Sequence, residues 1–316
     1  MSTSLSLDDS PALGEGLTTC RLCGVAAAWR LPEMKQGPLI CRCRHCGIAF
    51  ASHPRKLASQ AADQDHFGGI DEEKYFRSVM ATRLRSYSAL VNRVQKQAPR
   101  GKWLDVGCSY GWLLKYVNEH GYQGEGIEPS VAAASRAAQE ELLVRTGLFP
   151  AALEKGEKFD IISFMDVLEH FENPSEALEA TREHLTPGGV VVIQVPDQAC
   201  WLFRMAEAMY RLSGGRVSFA LRRLWLDGFD FPHQFYFTRS TLAYLLRQSG
   251  FEVLDWQRTS IGHPAEALDR VAYAEGTGNR LRTAVVGLSV GLINGVDTVC
   301  GHGGLLTMIA RPRLRS

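Results

Sequence analysis

Apolar and polar positions alternate along residues 102–310 in a way that predicts strands separated by helices. Short runs rich in Val, Ile, Leu and Phe predict buried strands, and most of the spacers between them have the apolar spacing of helices. Strands and helices in this order form a mostly parallel sheet with helices on both faces, which is a doubly wound α/β fold. The predicted strands occupy residues 102–106, 122–128, 142–146, 159–164, 190–195, 251–257 and 305–310.

Capping residues mark the ends of three predicted helices. Ser130 precedes an alanine-rich helix, and Thr238 precedes another helix that Gly250 closes. Asn173 is followed by a proline at the first helical position of a third helix. The Pro-Gly-Gly segment 187–189 is predicted to end that helix and turn into the next strand.

Two further segments have helical spacing outside this alternation. Residues 72–100 are predicted to form a helical cap that packs against the core. Residues 197–237 form an insertion, and one apolar helix face within it predicts a lid over an acceptor with an apolar or aromatic part. Ordinary packing onto the sheet and a helix on a membrane surface are the alternatives. The face consists of Leu202, Met205, Ala206, Met209 and Leu212.

Size and charge limit the classes of function. The chain has 316 residues, 45% of them hydrophobic, which is enough for one large core and a small satellite. Its 35 basic and 34 acidic residues give a formal net charge of +1, so no overall field attracts nucleic acid or an anionic membrane. A small-molecule substrate is therefore expected.

The first residues of the chain carry no targeting signal. Residues 1–16 are polar, are expected to be disordered or flexible, and lack the basic and apolar regions of a secretory signal. No apolar run reaches the roughly 20 residues that a transmembrane helix needs. A cytoplasmic protein without a transmembrane segment is expected.

A glycine-containing turn follows the strand predicted at 102–106 and is the most informative motif. Residues 102–111 read KWLDVGCSYG, and a helix is predicted directly after them. Gly107 and Gly111 let the backbone approach a ligand closely, and the start of the following helix presents N–H groups and a positive dipole. A small ligand is expected at this turn.

Two carboxylates at strand ends narrow the type of ligand. The spacing of Asp105, Gly107 and Gly111 departs from the dinucleotide G-x-G-x-x-G pattern, and Asp105 would repel a pyrophosphate but attract an ammonium or sulfonium group. Glu128 ends the next predicted strand, where it is placed to accept hydrogen bonds from both hydroxyls of a ribose. The implied ligand is a positively charged nucleoside. The alternative is that both carboxylates cap neighbouring loops.

The segments LDVGCSYG, GIEPS, FDIISFMDVLEHFENP and LTPGGVVVIQVP occur in this order along the chain. Together they resemble the class I S-adenosylmethionine-dependent methyltransferases, most closely the branch that includes ubiquinone-biosynthesis-type O-methyltransferases. The resemblance covers roughly residues 102–311. It implies an enzyme that uses S-adenosylmethionine and a Rossmann-like seven-stranded sheet whose last strand is antiparallel near the sheet edge.

The resemblance also implies a set of cofactor-binding residues. Most of them lie in the glycine turn, where they would surround the methionine portion of S-adenosylmethionine. Two others would hold the ribose and border the adenine, one lies in the loop after the fourth strand, and two lie in the predicted cap, where a solvated surface role is the alternative. The set is Asp105, Gly107, Cys108, Ser109 and Gly111 in the turn, Glu128 and Pro129 at the nucleoside, Asp166 in the loop, and Tyr75 and Arg83 in the cap.

Methyl transfer needs a nucleophile held in line with the C–S bond and a group that removes its proton. His233 belongs to a segment that resembles the His-x-x-Tyr-Phe-Thr pattern of relatives, and it is the favoured base or substrate-orienting residue, with Tyr236 beside it. His170 lies in the loop after the fourth strand and is the second candidate. Histidines satisfied within their loops, and a reaction that proceeds by proximity alone, are the alternatives.

Five of the eight cysteines lie close together near the start of the chain. Four of them form two C-x2-C pairs separated by 19 residues, a spacing typical of tetrahedral zinc sites. Four thiolates leave no open coordination position, so the zinc is expected to be structural, and a disulfide pair is the alternative. The predicted ligands are Cys20, Cys23, Cys43 and Cys46.

These cysteines define a predicted zinc-ribbon-like module over residues 17–50, joined by a linker over residues 51–71 to a methyltransferase domain over residues 101–316. Cys41 and His45 are further possible ligands, but their spacing fits less well. The module has a weaker resemblance to the N-terminal zinc-binding modules of some sugar C-methyltransferases. Its predicted role is stability, because about 35 residues bury too little surface to fold without metal.

The combined prediction is a methyltransferase that acts on oxygen or carbon of a small metabolite, such as a natural product, a sugar or a quinone-like acceptor. One alternative is a nucleic-acid methyltransferase, since Arg21, Arg42 and Arg44 lie beside the cysteines. Another is a scaffold that has the fold without catalysis.

Glycines recur every four residues in the apolar segment 284–296. Gly287, Gly291 and Gly295 would share one side of a helix and allow close packing there. This packing would lie either on the sheet or across a homodimer interface.

Overall fold

The structure is a computed structural model that describes residues 18–26, 28–31, 39–52, 84–227, 231–260, 291–292, 295–296 and 303–313. The expectations for residues 1–16 and 53–71, and those for Tyr75, Arg83 and Gly287, lie outside the described residues. Their roles, and the homodimer, stay predictions.

A seven-stranded sheet forms the centre of the molecule, in the order β10-β11-β8-β7-β4-β5-β6. The five strands β8, β7, β4, β5 and β6 are parallel to one another, and β11 is antiparallel to both β10 and β8. The predicted α/β fold and the antiparallel last strand are therefore confirmed. The strands are β4 (Lys102–Val106), β5 (Gln123–Glu128), β6 (Leu143–Thr146), β7 (Phe159–Met165), β8 (Leu185–Pro196), β10 (Phe251–Thr259) and β11 (Leu305–Pro312).

The helices begin at the predicted caps. Ser130 Oγ accepts a hydrogen bond from the third residue of its helix, Asn173 caps a helix with proline at its first position, and Thr238 forms a capping box. The helices are α1 (residues 84–94 of those described), α2 (Trp112–Glu119), α3 (Val131–Gln139), α4 (Pro174–His184), α5 (Trp201–Leu212), α6 (Phe219–Leu224) and α7 (Arg239–Gln248).

Strand β8 starts earlier than predicted, at Leu185 rather than residue 190. Phe159 of β7 pairs with Leu185 of β8, and Ile161 of β7 pairs with Val190 of β8. Strand β8 therefore has extra residues between these two pairs. Gly188 has a φ of 85°, a conformation that glycine adopts readily. The predicted Pro-Gly-Gly turn is therefore a bulge within the strand.

A second sheet brings the cysteine-rich segment into contact with the main part of the chain. Its order is β1-β2-β3-β9, where β1 is Ala28–Arg30, β2 is Ile40–Cys43, β3 is Ala49–Ala51 and β9 is Phe235–Tyr236. Strand β3 pairs with β9, which follows His233 by only two residues, and the Ala51 N–H donates to the Gln234 carbonyl at 2.9 Å. The cysteine-rich segment therefore shares a sheet with the segment predicted to contact the acceptor.

Helix α5 buries the face that carries its aromatic rings, and the predicted apolar face is largely exposed. Phe203 and Tyr210 are buried, with the Phe203 ring 4.4 Å from the Tyr236 ring, whereas Met205, Met209 and Leu212 are exposed, Leu212 to 90%. Ala206 is the buried member of the predicted face, because a second face with aromatic rings packs inward beside it, and the lid stays a prediction. The face with the aromatic rings buries more surface and packs against the second sheet.

The described helices include none that is both long enough and apolar enough to cross a membrane. The longest of the central strands, β8, is buried over residues 189–195. Helix α1 covers one side of the sheet through Tyr87, Leu90, Val91 and Val94.

Candidate active site

The predicted site residues meet at one edge of the central sheet. Strands β5, β4 and β7 are parallel neighbours, so the loops that follow them emerge at the same edge. These loops contain the glycine turn after β4, Glu128 and Pro129 at the end of β5, and Asp166 after β7.

The glycine turn has a backbone that only glycine adopts without strain. Gly107 and Gly111 have φ values of 70° and 75°, and the N–H of Gly107 donates to the Ile127 carbonyl at 2.7 Å. A Cβ on Gly107 would lie 2.7 Å from a methyl carbon of Val167, in the loop after β7. The turn and that loop are therefore in van der Waals contact.

Replacing Gly107 with alanine is expected to weaken S-adenosylhomocysteine binding at least about tenfold. The left-handed backbone costs a non-glycine residue about 1–2 kcal/mol, and relief of the clash with Val167 would displace the turn. Calorimetric titration measures the affinity. Gly156→Ala is the control, because Gly156 has a φ of 91° but a Cβ there meets no described atom within 4 Å. Equal affinities for the two variants would contradict the assignment of the turn.

Glu128 links the turn to the start of helix α3. Its carboxylate accepts a hydrogen bond from the Ser109 N–H at 2.8 Å through Oε2 and from the Ser130 N–H at 2.9 Å through Oε1. Each carboxylate oxygen has a second lone pair, so these bonds leave capacity for ribose hydroxyls. Glu128 is therefore both a structural residue of the site and a candidate ligand of the nucleoside.

Asp105 is held by a chain of buried hydrogen bonds. The Ser163 hydroxyl donates to Asp105 Oδ1 at 2.6 Å, and Ser163 in turn accepts from Trp103 Nε1 at 2.8 Å. Asp105 is 3% exposed. Neither Ser163 nor Trp103 is among the predicted residues, although a serine within an otherwise apolar buried strand is a signal that it has a buried partner.

Cys108 lies between the two carboxylates. Burial raises the pKa of its thiol, and the nearby Asp105 and Glu128 raise it further. The thiol therefore stays protonated at neutral pH and acts as a packing group. A Cβ on Gly126 would lie 2.4 Å from its sulfur, so the small residues of β5 make room for it.

Asp166 begins the loop after β7 in a left-handed conformation, with a φ of 60°. Its N–H donates to the Gln194 carbonyl at 2.9 Å, and Gln194 Nε2 donates to Asp166 Oδ2 at 3.2 Å. Gln194 was not predicted. Positive φ at a non-glycine residue is uncommon and frequently marks functional loops.

The loop continues into a 3-10 turn (Leu168–His170) that meets the segment before β9. The ring centroids of His170 and His233 are 4.8 Å apart, and those of His233 and Tyr236 are 5.3 Å apart. Glu169 Oε1 lies 3.9 Å from Nε2 of each histidine. The structure thus brings the three predicted acceptor-side residues together around a glutamate that was not predicted.

Burial sets the protonation of this cluster. It lowers the pKa of His170 to about 4, so this imidazole is neutral at neutral pH. Burial, and then the charge of Asp166, raise the pKa of Glu169 well above its usual range. Burial also raises the pKa of Tyr236, which therefore keeps its proton.

The four predicted cysteine ligands converge beside β2 of the second sheet, whose last residue is Cys43. The Sγ atoms of Cys20 and Cys46 are 3.7 Å apart, as are those of Cys23 and Cys43, and all four lie within 4.8 Å of one another. Disulfide sulfurs lie about 2.05 Å apart, whereas the sulfurs of a zinc tetrahedron with bonds of about 2.3 Å lie about 3.8 Å apart. Cys41 is not part of this group.

Arg21 connects the cysteine cluster to the segment before β9. Its guanidinium donates to the Ala51 carbonyl, to Gln234 Oε1 and to the Glu172 carbonyl at 2.9–3.1 Å. It also lies 4.9 Å from the centroid of the Phe235 ring. The turn between Cys20 and Cys23 is thereby attached to the residues that follow His233.

A family model described as a methyltransferase domain matches residues 77–255, which is more than half of the chain. The chain belongs to this methyltransferase family. With the seven-stranded sheet, this confirms the predicted resemblance to class I S-adenosylmethionine-dependent methyltransferases. The sequence relatives of the methyltransferase include ubiquinone biosynthesis O-methyltransferases of Ruegeria pomeroyi and Bartonella tribocorum.

The first of these relatives is 28% identical over 158 residues, or 48% of this chain and 60% of the relative. The second is 32% identical over 119 residues, or 35% of this chain and 48% of the relative. The methyltransferase thus spans about half to three fifths of the relatives it matches. The structure of the plantazolicin methyltransferase BpumL in complex with SAH is 17% identical, with a TM-score of 0.50 over 81% of this chain and 95% of that one, and shows the same fold.

Proposed function

We propose that the methyltransferase transfers the methyl group of S-adenosylmethionine to an oxygen or carbon of a small metabolite. The observation that supports this most strongly is the pair of buried carboxylates, Asp105 and Glu128, on either side of the glycine turn. Buried negative charge beside a turn without Cβ atoms suits a sulfonium nucleoside and disfavours a pyrophosphate. The adjoining loop after β7 carries His170, whose ring lies 4.8 Å from that of His233, and an acceptor would meet the donor there.

The cofactor-side residues have distinct roles in this proposal. Gly107, Cys108, Ser109 and Gly111 surround the methionine portion, and Asp105 faces it. Glu128 accepts from the ribose, Pro129 borders the adenine, and Asp166 faces the cofactor from the loop after β7. Held by these residues, S-adenosylmethionine would supply a methyl carbon that is already activated by its bond to a positively charged sulfur. The protein has then only to orient the acceptor and remove its proton.

On the acceptor side, His233 is proposed as the base or orienting residue, with Tyr236 and His170 beside it. A neutral imidazole can take a proton from an acceptor hydroxyl. His170, the second candidate for this role, is neutral at neutral pH because burial lowers its pKa. The relatives of Ruegeria pomeroyi and Bartonella tribocorum are O-methyltransferases of ubiquinone biosynthesis, which favours an oxygen acceptor and a quinol-like or phenolic molecule.

We also propose that Cys20, Cys23, Cys43 and Cys46 bind a structural zinc ion. The separations of their sulfurs fit a tetrahedral site and are far too long for disulfides. The shared strand pair β3–β9 gives the metal a further role, because the zinc module then supports the segment that follows His233.

A nucleic-acid substrate is the second candidate, and the contacts of two arginines argue against it. Arg21 is bound to three oxygens within the protein, and Arg42 forms a two-oxygen contact with Glu207 at 3.0 Å. Both guanidinium groups are therefore already bound to oxygens of the protein, whereas an arginine that binds phosphate would present its donors to the ligand. Arg44, which is exposed, remains the one arginine of the three that fits this role.

The proposed function predicts that the full chain binds S-adenosylmethionine and methylates phenolic or quinol acceptors. Calorimetric titration with S-adenosylhomocysteine tests the cofactor site, and mass spectrometry of an acceptor panel incubated with methyl-labelled cofactor tests transfer. Oligonucleotides in low salt serve as the competing substrate. No heat with either nucleoside would favour the scaffold, and transfer to oligonucleotides alone would favour the nucleic-acid enzyme.

A further inference from the structure

Glu169 is an unusual residue because its buried carboxylate lacks the usual partners. It is 1% exposed, and among the described residues neither Oε1 nor Oε2 has a hydrogen-bond partner. Buried carboxylates are nearly always hydrogen-bonded, paired with a cation or bound to a metal. The groups that face Glu169 Oε1 are the Nε2 atoms of His170 and His233, both 3.9 Å away, which is beyond hydrogen-bond distance.

His170 is oriented in the way that metal-binding histidines usually are. Its Nδ1 lies 3.3 Å from the Pro232 carbonyl. Because a carbonyl can only accept, Nδ1 carries the proton and the lone pair of the neutral ring is on Nε2. That lone pair is on the nitrogen nearest Glu169. A second-sphere carbonyl on the other ring nitrogen is the usual arrangement in metal sites.

The three side chains come from two segments that are tied together through the backbone. The Gln234 N–H donates to the Glu169 carbonyl at 2.8 Å, and the His233 N–H donates to the Trp225 carbonyl at 3.2 Å. Within the 3-10 turn, the His170 N–H donates to the Val167 carbonyl at 3.0 Å. The cluster therefore has a backbone frame that does not depend on a ligand.

The side-chain atoms match the ligand set and nearly match the size of a transition-metal site. Two imidazoles and one carboxylate bind Zn²⁺, Fe²⁺ and Co²⁺, and a site with three protein ligands keeps a position open for a further molecule. Ligands on a tetrahedron with bonds of about 2.1 Å lie about 3.4 Å apart, so the 3.9 Å between Glu169 and each histidine must close by about 0.5 Å. All three ligand atoms lie within 4.8 Å of one another.

We propose that Glu169, His170 and His233 bind one divalent transition-metal ion, whose open position takes the acceptor oxygen. The existence of this site stands on its own geometry, and its role in catalysis rests on the proposed function. With its Nε2 on the metal, His233 has the orienting role of the two proposed for it and is not the base. An acceptor hydroxyl bound there releases its proton to water, and its oxygen then forms the bond to the methyl carbon while the C–S electron pair returns to sulfur. Val167, which contacts Gly107 and directly precedes the 3-10 turn, links this site to the cofactor turn.

The test is titration of the full, zinc-loaded chain with Co²⁺, followed by visible absorption. Because zinc already occupies the cysteines in this sample, the added Co²⁺ should bind to the nitrogen and oxygen ligands. The Co²⁺ absorption spectrum should then show ligand-field bands without thiolate charge-transfer bands. One Co²⁺ per chain is expected. Glu169→Gln and His233→Asn should each weaken binding at least about 100-fold, since each removes one of only three ligands.

His184→Gln is the matched control. His184 also has its Nδ1 beside a backbone carbonyl, that of Glu157 at 2.9 Å, but it lies on α4 outside the cluster. Unchanged Co²⁺ binding in both cluster variants, or no binding beyond the cysteine site in the parent chain, would overturn the proposal. S-adenosylhomocysteine titrations of the same samples verify folding. They also separate the metal site from the proposed function. A parent chain that binds Co²⁺ but not S-adenosylhomocysteine would contradict the proposed function and leave the metal site supported.

Discussion

Glu128→Ala is expected to reduce the affinity for S-adenosylhomocysteine at least about 100-fold, or about 2.8 kcal/mol. The substitution removes the proposed acceptor of the ribose hydroxyls. It also leaves the N–H groups of Ser109 and Ser130 without their carboxylate, and each unsatisfied buried donor costs about 1–3 kcal/mol. The turn proposed to surround the methionine portion and the start of α3 would both lose these hydrogen bonds. Calorimetric titration of the purified variant measures the effect.

Glu125→Ala is the matched control on the same strand. Glu125 pairs with Arg145 at 2.9 Å near the surface, and such pairs contribute about 0–1 kcal/mol, so its loss should leave the affinity within about twofold. Thermal unfolding distinguishes a lost binding group from a lost fold. If the Glu128 variant unfolds normally and binds the nucleoside as tightly as the parent chain, the cofactor does not lie at this turn.

The positions of the strands and helix starts were predictable because they depend on local signals. Thr238 and Asn173 cap helices through their own side chains, and β4 coincides with its predicted range because polar residues and glycines bound its apolar run. The edge of the sheet at which Asp105 and Glu128 meet follows from the parallel arrangement of their strands. Local sequence signals were therefore sufficient to predict most of the fold and the position of the proposed cofactor site.

The acceptor side depended on long-range contacts that no local pattern encodes. Strand β9 has only two residues, and its pairing with β3 joins segments that are far apart in the sequence. In the sequence, Glu169 resembles any glutamate in a loop. It is buried in the structure, and no nearby residue indicates that the segment before β9 will cover it. The face that α5 buries was likewise decided by its partner sheet, because both Phe203 and Met209 lie at helical spacing.

The shared sheet changes how the cysteine-rich module relates to catalysis. A module joined by a linker would affect stability alone. Here β3 pairs with β9, Arg21 contacts Gln234, and Tyr236 packs against Phe203 of the insertion. His233 therefore lies where the module, the insertion and the loop after β7 meet. The cofactor turn, by contrast, is built on the central sheet and makes none of these contacts among the hydrogen bonds described for it.

Loss of the zinc ion proposed at the cysteines should therefore lower methyl transfer without weakening cofactor binding. In Cys23→Ser, zinc content is expected to fall by about one ion per chain, since the thiolate is one of four ligands and zinc binding supplies about 10 kcal/mol of folding free energy to such modules. Without β3, the segment from His233 to Tyr236 loses its sheet partner. Methyl transfer should fall at least about 100-fold, because displacement of a catalytic group by about 1 Å can cost that much.

S-adenosylhomocysteine affinity of the same variant should stay within about threefold, because Asp105 and Glu128 are held by the central sheet. Cys41→Ala is the control, since Cys41 lies in the same module but outside the converging group. Arg21→Ala should retain zinc and still lower the turnover number, because it releases Gln234 without touching the metal. Full activity in a zinc-free Cys23 variant would show that the module does not position His233, and the cysteines would then serve the stability of their own segment alone.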